Sequence, residues 1–325
     1  MARGKPNNTL PLSRIPKPVL PPDPVKPTYM IRIAYAALNT RTTVIMSIMP
    51  ALIRKTAEVP EIDFSGIIIA VSAPAGSLVK PNEGSPVVGQ LDRSEAGSRG
   101  ISTQKEWIMV AEDEVDMAVV PDGTSLQDAA CFGMVGVASL QMLRRAGLAL
   151  SNAGVKVLVN GASGAVGTLL VQIVKATSAT FRAVCSAVNG QLVKRLDADE
   201  IVAYRSVDLP TLLQRFYCAD YFEAILNTIG DQQLDEACPA FLKPDGTFVS
   251  IGGYGGSGAV SMLLGMAKNM YMPPALGRTP REWVLHQNKT NGDGLRYPRR
   301  VLGERAGERC GGHGTWIRGY GEAIR

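Results

Sequence analysis

The rhythm of apolar and polar positions changes near Ser125. Upstream, segments alternate with the two-residue period of half-buried strands: "YMIRIAYAALN" over 29–39, "IDFSGIIIAVS" over 62–72, and a strand–turn–strand in "KEWIMVAEDEVDMAVVP" over 105–121. Residues 73–104, rich in Gly, Pro and Ser, predict loops and short strands, and upstream only 43–54 carries a helical pattern. From 125 to 148 apolar residues recur at helical spacing, with Ser125 or Asp122 as the cap. Strands and helices then alternate: strand 155–159, helix 165–177, strand 181–186, helix 189–197, strand 200–203, helix 208–216, strand 222–227, helix 231–242 and strand 246–252. That alternation predicts an α/β fold, a doubly wound parallel sheet with helices on both faces, behind a β-rich first domain. The expected divisions are a β-rich domain over 1–124 with an extended, proline-rich start at 1–28, an α/β domain over 125–284, and an atypical tail over 285–325.

One turn in the α/β part carries candidate chemistry. In "VKVLVNGASGAVGTLLVQIVKA" (155–176), Gly161, Gly164 and Gly167 follow an apolar strand and open a helix. Small residues let the backbone approach a pyrophosphate. The free amides and positive end of the helix face its charge, and the last glycine lets helix and strand pack closely. A plain structural turn remains the alternative. The strand–turn–helix setting, with a second strand at the expected distance, favours dinucleotide binding. That second strand ends at Ser186, where a carboxylate would hold a ribose 2′-hydroxyl and repel a 2′-phosphate. Ser186 and Asn189 can instead donate to such a phosphate, which points to NADPH. The alternative is that Ser186 caps the next helix.

Composition narrows the classes. A length of 325 residues suggests two domains. The net charge is +5, but residues 285–325 hold seven Arg and one Lys against four acidic residues, leaving +1 for the rest. No body-wide basic surface follows, which argues against a nucleic-acid partner. No apolar run reaches the roughly 18–20 residues of a membrane span, and no membrane association is expected. The first 28 residues hold eight prolines and do not read as a secretory signal. Five single cysteines, none in a C-x-x-C pair, predict reduced thiols in a cytoplasmic protein. Both histidines, His286 and His313, lie in the last segment, so the rest of the chain lacks the commonest acid/base and metal ligand.

Several blocks together resemble the medium-chain dehydrogenase/reductase superfamily, in its zinc-free quinone-oxidoreductase and enoyl-reductase branch. They are "AALN" (36–39), "PALIRKTAEVPEIDFSGIIIAV" (50–71), "VPDGTSLQDAACFGMVG" (120–136), "VLVNGASGAVGTLLVQIVKA" (157–176), "LDADEIVAY" (196–204) and "CPAFLKPDGTFVSIGG" (238–253). The likeness spans about 10–284 and is nearest to fungal trans-acting enoyl reductases that serve polyketide synthases. It implies a GroES-like first domain and a Rossmann domain, with the nicotinamide in the cleft between them. It implies Ser163, Gly164, Ala165 and Val166 on the pyrophosphate, beside the glycines Gly161 and Gly167, with Ser186 and Asn189 at the 2′-phosphate. Tyr204 would lie near the adenine, and Ile251 and Gly252 near the nicotinamide half.

The departures from that pattern are as specific. The Gly-His-Glu motif of zinc relatives is "EIDFSG" here, with only Asp63 retained, and the four-cysteine loop is absent. The loop around a Gly-Asp pair appears as the irregular "KPNEGSPVVG". A Tyr four residues after the Asn of "ALN" is replaced by Thr43, an Asp before Thr by Asn227, and a basic residue near the 2′-phosphate by Val188. The expected activity is NADPH-dependent hydride transfer to an enone, quinone or enoyl thioester. The substrate is then a small molecule, or an acyl chain on a polyketide synthase carrier. Asn39 and Thr43 are the catalytic candidates on the substrate side; the alternative is that they satisfy loop backbone. No metal is expected. A non-catalytic nucleotide-binding relative is the other functional reading. In residues 285–325, nine glycines and no alternating apolar run suggest either a disordered basic tail or a shifted reading frame.

Overall fold

Strand β1 (Thr28–Ala37) pairs with β2 (Asp63–Ser72) in antiparallel register, with Tyr29 opposite Val71 and Ala36 opposite Phe64. The computed structural model describes residues 15–39, 61–79, 81–92, 102–148, 154–177, 179–204, 208–251 and 258–286. These fall into two compact units, one ending at Met134 and the other beginning at Val135. The expected helix over 43–54 and the tail beyond His286 lie outside the described residues.

The first unit holds an antiparallel sheet in the order β4-β1-β2-β3-β5, completed by β3 (Pro86–Leu91), β4 (Trp107–Ala111) and β5 (Val115–Val119). Alternation sends Tyr29, Ile31, Phe64, Ile68, Val87, Leu91, Ile108 and Val110 into one core. Strand β3 is one of the short strands expected among the loops of 73–104. It forms because Gly89 leaves space that the Phe64 ring and the Asp116 carbonyl fill; a Cβ there would lie 2.8 Å from the ring and 2.7 Å from the oxygen.

Helices α1 (Leu126–Ala129) and α2 (Gly133–Arg145) follow, with Ser125 Oγ accepting the Asp128 amide at 3.1 Å as an N-cap. The stretch Leu126–Arg145 is long and apolar enough to cross a membrane, but 67% of its apolar window is buried, as in the core helix of a folded domain.

The second unit is a six-stranded sheet built from β6 (Lys156–Asn160), β7 (Thr180–Cys185), β8 (Glu200–Ala203), β9 (Phe222–Asn227), β10 (Leu242–Ser250) and β11 (Glu282–Leu285). Every pair is parallel, in the order β11-β10-β9-β6-β7-β8. Counted within this sheet, the strands run third, second, first, fourth, fifth, sixth, which is the Rossmann order. The strand order reverses between β6 and β9, and the C-terminal ends of those two parallel strands mark the switch point.

Between the strands lie α3 (Ala165–Ala176), α4 (Gly190–Arg195), α5 (Leu209–Tyr217), α6 (Gln232–Ala237) and α7 (Gly258–Tyr271). In α5, Asp208 caps the Thr211 amide, Pro210 sits in the first turn, and Leu209, Leu213 and Tyr217 face the core at helical spacing. Those three join Leu158, Phe222, Phe241 and Phe248 in one buried cluster. Helix α6 was expected to run to 242. It stops at Ala237, because the following Pro239 closes a short 3-10 turn, and β10 then begins at Leu242 rather than 246. The register of β10 shifts between Leu242 and Thr247, which takes the turn-like "KPDG" into the strand as an irregularity. Helix α7 and strand β11 were not foreseen. Strand β11 ends at Leu285, and the next amide, His286, donates to Ser250 O at 2.7 Å. Cys131, Cys185, Cys218 and Cys238 are free thiols.

Candidate functional site

The glycine turn sits at the C-terminal end of β6, at the switch point of the sheet. Gly161 has φ +81, and its position also lacks room: a Cβ would run into Thr228 Oγ1 and lie 2.8 Å from Ile229 Cγ1. Its amide and that of Ala162 donate to Val184 O at 3.0 and 2.9 Å, which ties the turn to β7. Gly167, inside the first turn of α3, is pressed against the Gly161 carbonyl and lies so close that its missing Cβ would be 2.7 Å from Ala162 Cα. Helix and turn therefore approach backbone to backbone.

The N-terminus of α3 is left open. Gly164 is the cap residue, no side chain caps the first turn, and no acidic residue occupies it. The early amides of a twelve-residue helix thus face outward with the positive end of its dipole. Gly164 and Ala165 are exposed, and Ser163 and Val166 are partly so. The feature suits an anionic group approaching along the backbone, as a pyrophosphate does.

Ser163 and Asn189 meet: the Asn189 side-chain amide donates to Ser163 Oγ at 3.1 Å. The glycine turn and the turn after β7 are thereby joined by two residues that the sequence reading had assigned to neighbouring parts of one ligand. Ser186 directly follows that strand, 9% exposed, and precedes the 3-10 turn Ala187–Asn189. It occupies the cap position by backbone geometry, but its hydroxyl makes no capping bond, so capping is not what holds this serine in place. Neither the 3-10 turn nor the first turn of α4 carries an acidic residue. Val188, between the two polar residues, is 86% exposed. Tyr204 follows β8 and is 39% exposed. Ile251 follows β10, with its amide donating to Asn227 O at 3.2 Å; Gly252 lies outside the described residues.

Two residues at the switch point were not singled out in the sequence, and a third was noted only as a departure. Asn160, the last residue of β6, donates from its side chain to Asn227 Oδ1 at 3.1 Å. Asn227, the last residue of β9, is 1% exposed, and the same Oδ1 accepts the amides of Ile229 and Gly230, each at 3.3 Å. Thr228 Oγ1 donates to Asn160 O at 2.8 Å. The three fix the β9–α6 loop onto the glycine turn. The only sequence signal was a polar residue closing each of two apolar strands.

In the first unit, Asn39 lies just beyond β1. Its backbone amide donates to the Glu61 carboxylate at 3.2 Å. Thr43 lies outside the described residues. Asp63, retained from the "EIDFSG" motif, is 1% exposed and accepts the Met134 amide at 2.6 Å. Burial pushes its carboxyl up to about 8, the Met134 bond pulls against that, and the charge of Glu61 adds to the rise. Burial, with Asp63 and Asp128 nearby, pushes the Cys131 thiol up to about 11. Gly133 has no Cβ to keep Asp63 Oδ1 and Gly89 O away. Asp63 thus serves the backbone of the α2 N-terminus. Among the described residues, no group of three His, Cys, Asp or Glu side chains is arranged to hold a metal ion.

Several known proteins are similar to this chain. A family model described as Zinc-binding dehydrogenase matches residues 165–283. The medium chain reductase pydE from Acremonium sp is 30% identical over 296 residues, covering 85% of this chain and 80% of that protein. The trans-enoyl reductase poxH from Penicillium oxalicum is 26% identical over 332 residues, covering 91% and 84%. Among solved structures, a quinone oxidoreductase from Coxiella burnetii superposes with a TM-score of 0.69 at 20% identity, over 93% of this chain and 85% of that one.

Proposed function

The chain belongs to the medium-chain dehydrogenase/reductase family, and on that premise we propose that it reduces an activated carbon–carbon double bond or a quinone with NADPH. It is an oxidoreductase that uses a nicotinamide cofactor and acts on a small molecule. The observation that carries the NADPH reading is the end of β7: Ser186 without a capping bond, Asn189 bonded to Ser163, and no carboxylate in the turn that follows.

Gly161, Gly164 and Gly167 with Ser163, Ala165 and Val166 would hold the pyrophosphate on the open end of α3. Ser186 and Asn189 would take the 2′-phosphate. Tyr204 would flank the adenine, and Ile251 and Gly252 the nicotinamide half. Bound there, NADPH supplies a hydride to the β-carbon of an enone or enoyl thioester, or to a quinone. The Asn39 side chain would donate to the substrate oxygen as negative charge develops on it. With Thr43 where relatives carry Tyr, the proton would come from that hydroxyl or from water. The likeness to trans-enoyl reductases supports an enoyl thioester as the natural substrate; on this reading the thioester is carried by a polyketide synthase and reduced in the cytoplasm.

The direct test is NADPH and NADH oxidation with cyclohexenone, benzoquinone and crotonyl-CoA. Turnover of at least one acceptor is expected, with NADPH preferred. Ser186→Asp should move that preference toward NADH by roughly tenfold or more, since a carboxylate beside a phosphate costs several kcal/mol. Equal use of both cofactors by the natural protein would remove the basis for the assignment of Ser186.

Zinc should play no part. A catalytic zinc takes about three protein ligands from Cys, His and carboxylate, whereas "EIDFSG" offers no His and its Asp63 is engaged with the α2 backbone. Elemental analysis should find no stoichiometric zinc, and a chelator should leave nucleotide affinity unchanged. About one tightly held zinc per chain would contradict this.

A further inference from the structure

Glu61 holds Asn39 from across the sequence, and nothing in the chemistry above uses it. It precedes β2, 22 residues beyond Asn39, and is only 4% exposed. A carboxylate is seldom buried this deeply unless it has a partner. Here its Oε2 accepts the Asn39 backbone amide at 3.2 Å, while its own carbonyl accepts the Thr103 amide at 3.1 Å. Glu61 is thus anchored to one neighbouring segment through its backbone and reaches the end of β1 through its side chain. A bond from a buried charged acceptor to an amide is about twice as strong as a neutral one, and it fixes the residue's backbone rather than its side-chain amide.

We propose that Glu61 is a positioning residue, whose carboxylate fixes the backbone of Asn39 so that the Asn39 side chain meets the substrate oxygen in a set orientation. The proposal rests on the reading of Asn39 as the substrate-side donor. The Asn39 side chain does the chemistry, and Glu61 acts through it. A displacement of about 1 Å at such a donor can cost up to about a hundredfold in rate, so one distant carboxylate can govern turnover without touching substrate.

The test compares Glu61→Ala, Glu61→Gln, Asn39→Ala and the double variant Glu61→Ala/Asn39→Ala in the full chain. Glu61→Ala should lower kcat about 10- to 100-fold with NADPH affinity, read by fluorescence titration, unchanged. Glu61→Gln keeps a carbonyl acceptor and should restore kcat to within about threefold of the natural protein. Asn39→Ala should lose as much as Glu61→Ala, and the double variant no more than either, because there is then no donor left to position. Independent of turnover, hydrogen exchange at the Asn39 amide should quicken at least tenfold in Glu61→Ala and stay slow in Glu61→Gln. Unchanged exchange in Glu61→Ala, or additive losses in the double variant, overturns the proposal. If Asn39→Ala retains full turnover while exchange responds as expected, the fault lies with the reading of Asn39, and the positioning role falls with it.

Discussion

Gly167→Ala should abolish tight nucleotide binding and visibly destabilise the second unit. The added Cβ would land on the Gly161 carbonyl and within 2.7–2.8 Å of two further backbone atoms of the turn. None of these is the end of a flexible side chain, so α3 must move away from β6. Overpacking of this kind costs about 1–3 kcal/mol, or several degrees of melting temperature at roughly 2–4 °C per kcal/mol for a unit of this size. The same shift carries the open helix end away from the turn. Gly164→Ala is the control: its Cβ would meet only Gly161 O, at 3.3 Å, and φ is −81. That variant should keep its stability and lose nucleotide affinity alone, because on the proposed reading a methyl group would stand where the pyrophosphate approaches. Calorimetry with NADPH and thermal unfolding separate the two outcomes. A Gly167→Ala protein that melts and binds like the natural one would mean that this close packing does not hold in solution.

The sequence made this site legible where chemistry and local pattern coincide. Three glycines between an apolar strand and an amphipathic helix signal a close backbone approach, which the structure has at Gly161 and Gly167; the roles of Ser186 and Asn189 toward a ribose phosphate belong to the proposed function. Asn160, Asn227 and Thr228 were harder to read. Their bonds join the ends of strands 67 or 68 residues apart, and polar strand-end residues carry no distinctive spacing. A short strand was expected somewhere in 73–104, but the bounds of β3 were hidden by Pro86 and Gly89, turn residues by propensity that pairing with β2 and contact with the Phe64 ring hold in a strand. Strand β11 is four residues long and is defined by pairing with β10, not by its own pattern. The contact between Glu61 and Asn39 spans 22 residues, and nothing in the local sequence of either announces it.

Stability of the first unit should fall as pH rises from mildly acidic to mildly basic, and Asp63→Asn should remove that dependence. Asp63 is fully enclosed, and burial is the main cause that lifts its carboxyl from 3.8 to about 8, with Glu61 adding to it. Over that range the folded protein holds a proton that the unfolded chain releases. The native state therefore binds more protons, and the stability from this group, complete below about pH 4, is lost as pH climbs through 8. At about 1.4 kcal/mol for each pKa unit, the swing amounts to several kcal/mol. Cys131, the nearby thiol, stays neutral throughout because its own value is pushed up to about 11. Asp235 in the second unit, lifted to about 6 by burial, gives a trend of the same sign. It is common to both proteins and cancels in their difference. Asn at position 63 keeps an oxygen for the Met134 amide and has no proton to lose. Urea unfolding of the two proteins at about pH 5 and about pH 8 should show the natural chain losing stability relative to Asp63→Asn as pH rises. Parallel behaviour at both pH values would show that Asp63 stays ionised in the fold, with the Met134 amide and the α2 N-terminus outweighing its burial.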